Sequence, residues 1–258
     1  MLPNRKKLAL AFVLDAMGVC RLGMWLQRRI YGPHIRAINY HDIPTEDIAG
    51  FERQLEFYRR HFEAVTHNTL LLLLRVGQGY GERPGLVISF DDGYQSHAEI
   101  VLPLLEKYGL TGWFFVPSKN SVLSEAQLRR LGDRHVVGSH TRTHMRMNAT
   151  VPAATVRDEI QGSRQDLKGI GLIPVDTFAW VGGEEGSYSR EAAKLIRNTY
   201  TFAFMTNSAV ITSNCDPYQL QRTNIEADYP LWLVRFQLSG LMDIYYYFKR
   251  RRVNRLTA

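Results

Sequence analysis

The stretch Leu86-Val87-Ile88-Ser89-Phe90-Asp91-Asp92-Gly93-Tyr94 runs from a hydrophobic segment straight into two carboxylates and a glycine. Leu86–Phe90 reads as a buried strand, and Gly93 lets the backbone turn sharply out of it. Outward from here, strand-like and helix-like segments alternate. Ile35–Tyr40, Trp113–Val116, Val136–Gly138, 176–181, 201–206 and Gln219–Ile225 read as strands. Phe51–Phe62, a segment around His97–Tyr108 stopped at Gly109, Ser124–Leu131 with a serine cap, 155–168 and 189–198 read as helices, with a last helix from about 231 to 248. Repeated units of this kind imply an α/β protein: a distorted (β/α) barrel of about seven parallel strands, with amphipathic terminal helices. In such barrels the chemistry sits on loops that follow the strand C-terminal ends.

With 45% hydrophobic residues in 258, the chain can bury a large core, which excludes a disordered or fibrous protein. Its net charge of +7 suggests a polyanion partner, but the excess is confined to the ends. Residues 1–29 carry Arg5, Lys6, Lys7, Arg21, Arg28 and Arg29 against Asp15 alone. Residues 231–258 carry Arg235, Lys249, Arg250, Arg251, Arg252 and Arg255 against Asp243 alone. Each end is therefore at +5 and the body between them at −3, the reverse of the basic body a nucleic-acid domain presents. Cys20 and Cys215 lack metal-type spacing. The Leu8–Leu14 run is interrupted by Asp15, with no small-residue cleavage site after it, and no stretch of 18 apolar residues occurs.

Two acids at a strand end repel unless a cation offsets them or their roles divide into ligand and base. Gly138-Ser139-His140-Thr141-Arg142-Thr143-His144 follows another strand, and two imidazoles four residues apart converge on one ion if the segment coils by a turn. Asp, His and His together make a three-ligand site with an open water position. His41, in Asn39-Tyr40-His41-Asp42, ends the first strand and by barrel logic faces the same rim. The competing readings are an ordinary acidic turn, an incidental histidine pair, and a histidine satisfied by a loop carbonyl.

Together, ISFDDGY and SHTRTH resemble the polysaccharide deacetylases, the NodB-homology carbohydrate esterases of family 4. The upstream Tyr40-His41 and the helix FERQLEFYRRHF are similar to the circularly permuted branch, which deacetylates poly-N-acetylglucosamine. The resemblance covers roughly 35–225. It implies a metal-dependent hydrolase that cleaves the N-acetyl amide of an amino sugar in a polysaccharide, oligosaccharide or lipid-linked glycan. Carried over, Asp91 is the general base, Asp92, His140 and His144 are the ligands of one divalent metal, and His41 is the general acid. The metal is zinc first, with cobalt, nickel or iron as alternatives.

The third family motif departs from the pattern as Phe178-Ala179-Trp180-Val181-Gly182-Gly183. The arginine that steadies the base is Ala179, and the Pro-Tyr pair is Val181-Gly182. Gly182, Trp180 and Arg222 remain as candidates for oxyanion or substrate contact. Arg222 is also a candidate to steady Asp91, with a surface salt bridge as its other reading. No histidine follows His144, so the unpermuted family's late Leu-x-x-His motif is missing. Within this frame, residues 1–33 form a basic N-terminal segment, 34–230 the catalytic barrel, and 231–258 a basic C-terminal helix and tail. The aromatic and basic ends suit an anionic membrane surface. The expected setting is bacterial glycan biosynthesis by a cytoplasmic enzyme, peripheral at the inner membrane, with no nucleic-acid partner. The alternatives are a deformylase or other amide hydrolase on a lipid-linked sugar, and an inactive carbohydrate-binding relative.

Overall fold

The computed structural model describes the backbone of residues 5–78 and 81–258, and side chains from Leu8 onward. Arg5, Lys6 and Lys7, counted above in the basic N-terminal segment, thus lie outside the described side chains. Among the described residues nine parallel strands form one sheet: β1 (Ile35–Tyr40), β2 (Glu63–Ala64), β3 (Gly85–Asp91), β4 (Gly112–Val116), β5 (Val136–Ser139), β6 (Thr177–Ala179), β7 (Phe202–Met205), β8 (Leu220–Gln221) and β9 (Thr223–Asn224). Their order is β8-β7-β6-β5-β4-β3-β1-β9, with β2 pairing alongside β3.

Strands β8 and β9 are two halves of one strand kinked at Arg222. The first half pairs with β7 and the second with β1, so this short segment closes the barrel. Arg222 donates its backbone N–H to Met205 across 2.8 Å, and the Ile225 N–H reaches the Asn39 carbonyl at 3.0 Å. Counting the kinked pair once gives a nearly closed barrel of eight strands, one more than the expected seven. The addition is β2, whose two residues are too few to show a period.

The period-two alternation of each strand sorts its side chains. Leu86, Ile88 and Phe90 of β3 pack outward under the helices, whereas Val87 points inward with Ala37, Trp113, Phe115, Phe202 and Phe204. The same parity carries Ser89 and Asp91 inside, and in β1 it carries Asn39 inside. Gly138 is required by this filling: a Cβ there would sit 2.3 Å from Thr177 Oγ1 and 2.8 Å from the Phe115 ring.

The helices largely follow the sequence reading. Ser124 caps Glu125–Gly132 through a reciprocal box with Gln127, and Gly109 ends Leu102–Tyr108 in the left-handed region. The expected single C-terminal helix is instead three: Leu231–Leu238, Leu241–Tyr245 and Tyr247–Leu256. The first break falls at Gly240, whose φ of 92° no helix accommodates. The N-terminal segment is likewise two helices, Arg5–Ala16 and Val19–Tyr31, with Gly18 at φ 79° between them. Among the described residues both ends are packed onto the barrel. Asp15 pairs with Arg235, Phe12 meets Trp232 edge-on at 5.6 Å, and Arg250 donates to the Asn207 carbonyl at 3.1 Å.

The inward parity of position 222 places a guanidinium in the barrel centre, fully buried. It survives there only because Asp91 neutralises it, with Nη1 2.6 Å from Oδ1 and Nη2 2.8 Å from Oδ2. Removing one member leaves the other charged and unpaired, so Arg222→Met should lower unfolding stability by about 3–5 kcal/mol in urea denaturation. A loss below about 1 kcal/mol would show that the pair does not hold the barrel together.

Candidate active site

The parallel register sets the C-terminal ends of β1, β3, β4 and β5 side by side: Tyr40 beside Phe90, Asp91 beside Phe115, Val116 beside Ser139. A cleft of about 630 Å³ opens over these ends, and Asn39, His41, Asp91, Asp92, His140 and His144 all line it. Residues from motifs about 100 positions apart in the chain are thus gathered at one rim. Arg222 lies beneath this floor rather than in its wall, held by both Asp91 oxygens and by Ser89 Oγ at 3.0 Å. It is buried, so the surface salt bridge reading does not hold, and its contacts are with Asp91 rather than with a substrate position.

The two adjacent aspartates diverge. Asp91 continues the strand and turns inward, whereas Asp92 has a φ of 75°, which swings its side chain toward the histidines. Burial works to raise the Asp91 carboxyl, but the Arg222 guanidinium, followed by His140, holds it below the usual carboxylate range. Asp91 is therefore ionised at neutral pH; Asn39 Nδ2 also donates to Oδ2 at 3.5 Å, and Oδ1 keeps a lone pair beyond its bond to Arg222.

Asp92 Oδ1 lies 2.9 Å from His144 Nε2 and 3.4 Å from His140 Nε2. Burial again works to raise this carboxyl, and the two imidazoles outweigh it and hold it well below its ordinary value. The ligand atoms of Asp92, His140 and His144 all lie within 4.8 Å of one another. Despite these short separations, Asp92 Oδ1 is buried with no hydrogen bond of acceptable geometry. The three atoms converge on a shared point instead of bonding one to another, an arrangement that fits a cation. His140 Nδ1 lies 2.8 Å from the Ala179 carbonyl, so that nitrogen carries the proton and Nε2 presents its lone pair to the cluster.

The histidine loop coils, but not as a helix. Thr141 and His144 both take left-handed backbone angles, φ 66° and 65°, which are costly for non-glycine residues and above all for a β-branched one. Buried Glu159 holds the loop: its carboxylate accepts the N–H groups of Arg142 at 2.8 Å and Thr143 at 2.9 Å, and the Thr143 hydroxyl at 2.6 Å. Glu159 sits in a π turn, Asp158–Gly162, and was not singled out in the sequence, because two of its three partners are backbone N–H groups with no sequence signature.

His41 is fixed through its own carbonyl, which accepts a hydrogen bond from His97 Nε2 at 2.9 Å. The His97 ring is fully buried among Phe90, Tyr94 and Phe114. Trp180, a candidate for substrate contact, is 1% exposed, with its ring packed edge-on against Tyr188 at 5.0 Å. It forms the wall but offers no stacking face. Gly182 lines the cleft at φ 84°, and a Cβ there would lie 2.5 Å from Ser187 Oγ. The C-terminal segment adds Tyr246 and Lys249 to the same wall.

Burial pushes the His97 imidazole down to about 4. Because the folded value lies below the unfolded 6.5, the unfolded chain binds the extra proton, and stability falls as pH drops through that window. Wild type should lose about 3 kcal/mol more than His97→Gln between about pH 7 and about pH 4, read by urea denaturation at each pH. Parallel profiles for the two proteins would contradict a buried neutral His97.

The polysaccharide deacetylase family model matches residues 78–201, a span that holds both the aspartate pair and the histidine loop but neither His41 nor Arg222. YxkH of Bacillus subtilis (strain 168), whose name assigns it to the polysaccharide deacetylases, is 31% identical over 146 residues, which are 54% of this chain and 51% of YxkH. The chain thus spans about half the length of that curated relative. Among solved structures, the Streptococcus pyogenes deacetylase PplD in complex with acetate superposes with a TM-score of 0.65 at 16% identity, over 79% of this chain and 98% of PplD. IcaB from Ammonifex degensii gives 0.68 at 19%, over 82% and 98%. A de-N-acetylase from Aggregatibacter actinomycetemcomitans gives 0.65 at 14%, over 79% and 99%. At these identities the likeness shows the barrel, and residues 78–201, which carry the aspartate pair and the histidine loop, match the polysaccharide deacetylase family model.

Proposed function

We propose that this protein is a metal-dependent hydrolase removing the acetyl group from the amide nitrogen of an amino sugar in a glycan. The observation that carries the reading is the divergence of Asp91 and Asp92, one paired to a buried arginine and the other to two imidazoles. Support for the reaction class comes from the family match and from relatives named as deacetylases, one of them solved with acetate.

Asp92, His140 and His144 would hold the cation, zinc in this reading. When bound, it supplies Lewis acidity to the amide carbonyl and lowers the pKa of the attacking water, so that a weak base suffices. Asp91 takes the proton of that water. Arg222 keeps Asp91 ionised and fixes both oxygens, the task left vacant where the family's arginine is Ala179. His41 delivers a proton to the departing amine, and a backbone N–H at Gly182 donates to the developing oxyanion. Tyr246 and Lys249 occupy the cleft wall, where an aromatic ring and a cation suit a sugar face and its hydroxyls.

Incubation of zinc-loaded protein with N-acetylglucosamine oligomers, with acetate and formate both assayed, tests this directly. Acetate should appear. Asp91→Asn should retain about one zinc per chain while turnover falls roughly 10²- to 10⁴-fold, and His140→Ala should lose the zinc. Formate from a formylated sugar, with no acetate, would shift the assignment to deformylation. Oligomer binding without either acid would mark an inactive carbohydrate-binding protein. Unchanged turnover in Asp91→Asn would reject Asp91 as the base.

A further inference from the structure

The helix Val19–Tyr31 is packed the wrong way round for a soluble protein. Its inner face is Cys20, Gly23, Met24 and Gln27, of which only Met24 is large and apolar: a Cβ on Gly23 would lie 2.6 Å from the Ser239 carbonyl oxygen, and Gln27 Nε2 donates to the Leu238 carbonyl at 2.9 Å. The other large apolar residues point outward. Leu22, Trp25, Leu26 and Ile30 fall at helical spacing on one stripe and are 38–69% exposed. Ordinary amphipathic helices bury that stripe. The C-terminal segment repeats the pattern: Ile244 and Phe248 are 74% and 72% exposed.

These two stripes, from opposite ends of the chain, form one surface. Leu26, Ile30 and Tyr31 face Ile244, Tyr247 and Phe248 across a groove of about 570 Å³. On its other flank the helix borders a cleft of about 690 Å³ into which Arg21, Arg28, Arg60, Arg83 and Arg235 converge, with His61 among them. Arg60, Arg83 and Arg235 have acidic partners, whereas neither Arg21 nor Arg28 forms an ion pair among the described residues. His61 is held below its ordinary value, by burial first and then by the surrounding arginines. No aspartate or glutamate occurs from Met17 to Gly32 or from Ile244 to Ala258.

We infer that this composite face docks on an anionic phospholipid bilayer, with the Leu22–Trp25–Leu26 stripe and Phe248 entering the acyl boundary and Arg21 and Arg28 meeting lipid phosphates. An exposed apolar ridge flanked by unpaired cations is complementary to a layer of hydrocarbon beneath negative headgroups. The face also adjoins the catalytic cleft. Tyr246 and Lys249 line the cleft, and their neighbours Tyr247 and Phe248 line the groove, so the cleft opens at the membrane's edge. No single helix among the described residues is long and apolar enough to cross a bilayer, and Leu8–Ala16 meets Val19–Tyr31 at 73°.

Docking requires no turnover, so it is measured apart from the amide chemistry. The full chain is pelleted with vesicles of phosphatidylcholine alone and of phosphatidylcholine mixed with phosphatidylglycerol. It should sediment with the mixed vesicles only. Arg21→Gln with Arg28→Gln should weaken that partition about thirtyfold, two cations at about fivefold each. Trp25→Ser with Phe248→Ser, both at exposed positions, should abolish it with unfolding stability unchanged. Equal sedimentation of either double variant and wild type would overturn the inference. So would a concentration-dependent dimer, lost in the Trp25→Ser, Phe248→Ser protein, with no vesicle binding, since the face would then belong to a second copy.

Discussion

A guanidinium at the centre of a barrel is tolerated only if something pays for its lost hydration, and here that something is the candidate catalytic base. Arg222 reaches the centre because strand parity at the closing segment points it inward, between a half-strand bound to β7 and a half-strand bound to β1. The ion pair with Asp91 is therefore a structural and a chemical device in one. The arginine closes the barrel without an unpaired charge, and the aspartate stays ionised although burial works to raise its pKa. The position of this candidate base and the closure of the fold cannot be altered independently.

The neighbouring acid obeys a different constraint. A left-handed turn at Asp92 rotates it away from the arginine, and two further left-handed residues, Thr141 and His144, bend the histidine loop to meet it. Strained backbone of this kind persists when its surroundings dictate it, and Glu159 does so by holding the loop's backbone N–H groups. The outcome is two carboxylates, adjacent in sequence, with distinct electrostatic environments. That separation permits one to act as a base while the other serves as a ligand.

The strands other than β2, most helices and the convergence of Asp91, Asp92, His140 and His144 were legible because hydrophobic runs ending in polar clusters survive as patterns in one dimension. Arg222 was visible only as a candidate: nothing local to Leu220-Gln221-Arg222 tells an inward arginine from a surface one, and only barrel closure decides it. Glu159 and His97 were illegible because they act on backbone groups. Trp180 was a candidate for oxyanion or substrate contact; it lines the cleft, but its ring packs against Phe178 and Tyr188, a pairing that no local pattern announces. At the ends, composition signalled basic amphipathic segments but not their inversion, since the small inner face of Val19–Tyr31 is defined by what packs against Gly23 and Gln27.

The division of labour between the two aspartates is the centre of this account. Anomalous diffraction from crystals of the zinc-loaded protein tests it most directly. A single peak is expected at coordinating distance from Asp92, His140 and His144, with Asp91 still paired to Arg222 and outside the coordination sphere. A peak ligated by Asp91 with the Arg222 pair broken, or no peak at this cluster, would contradict it.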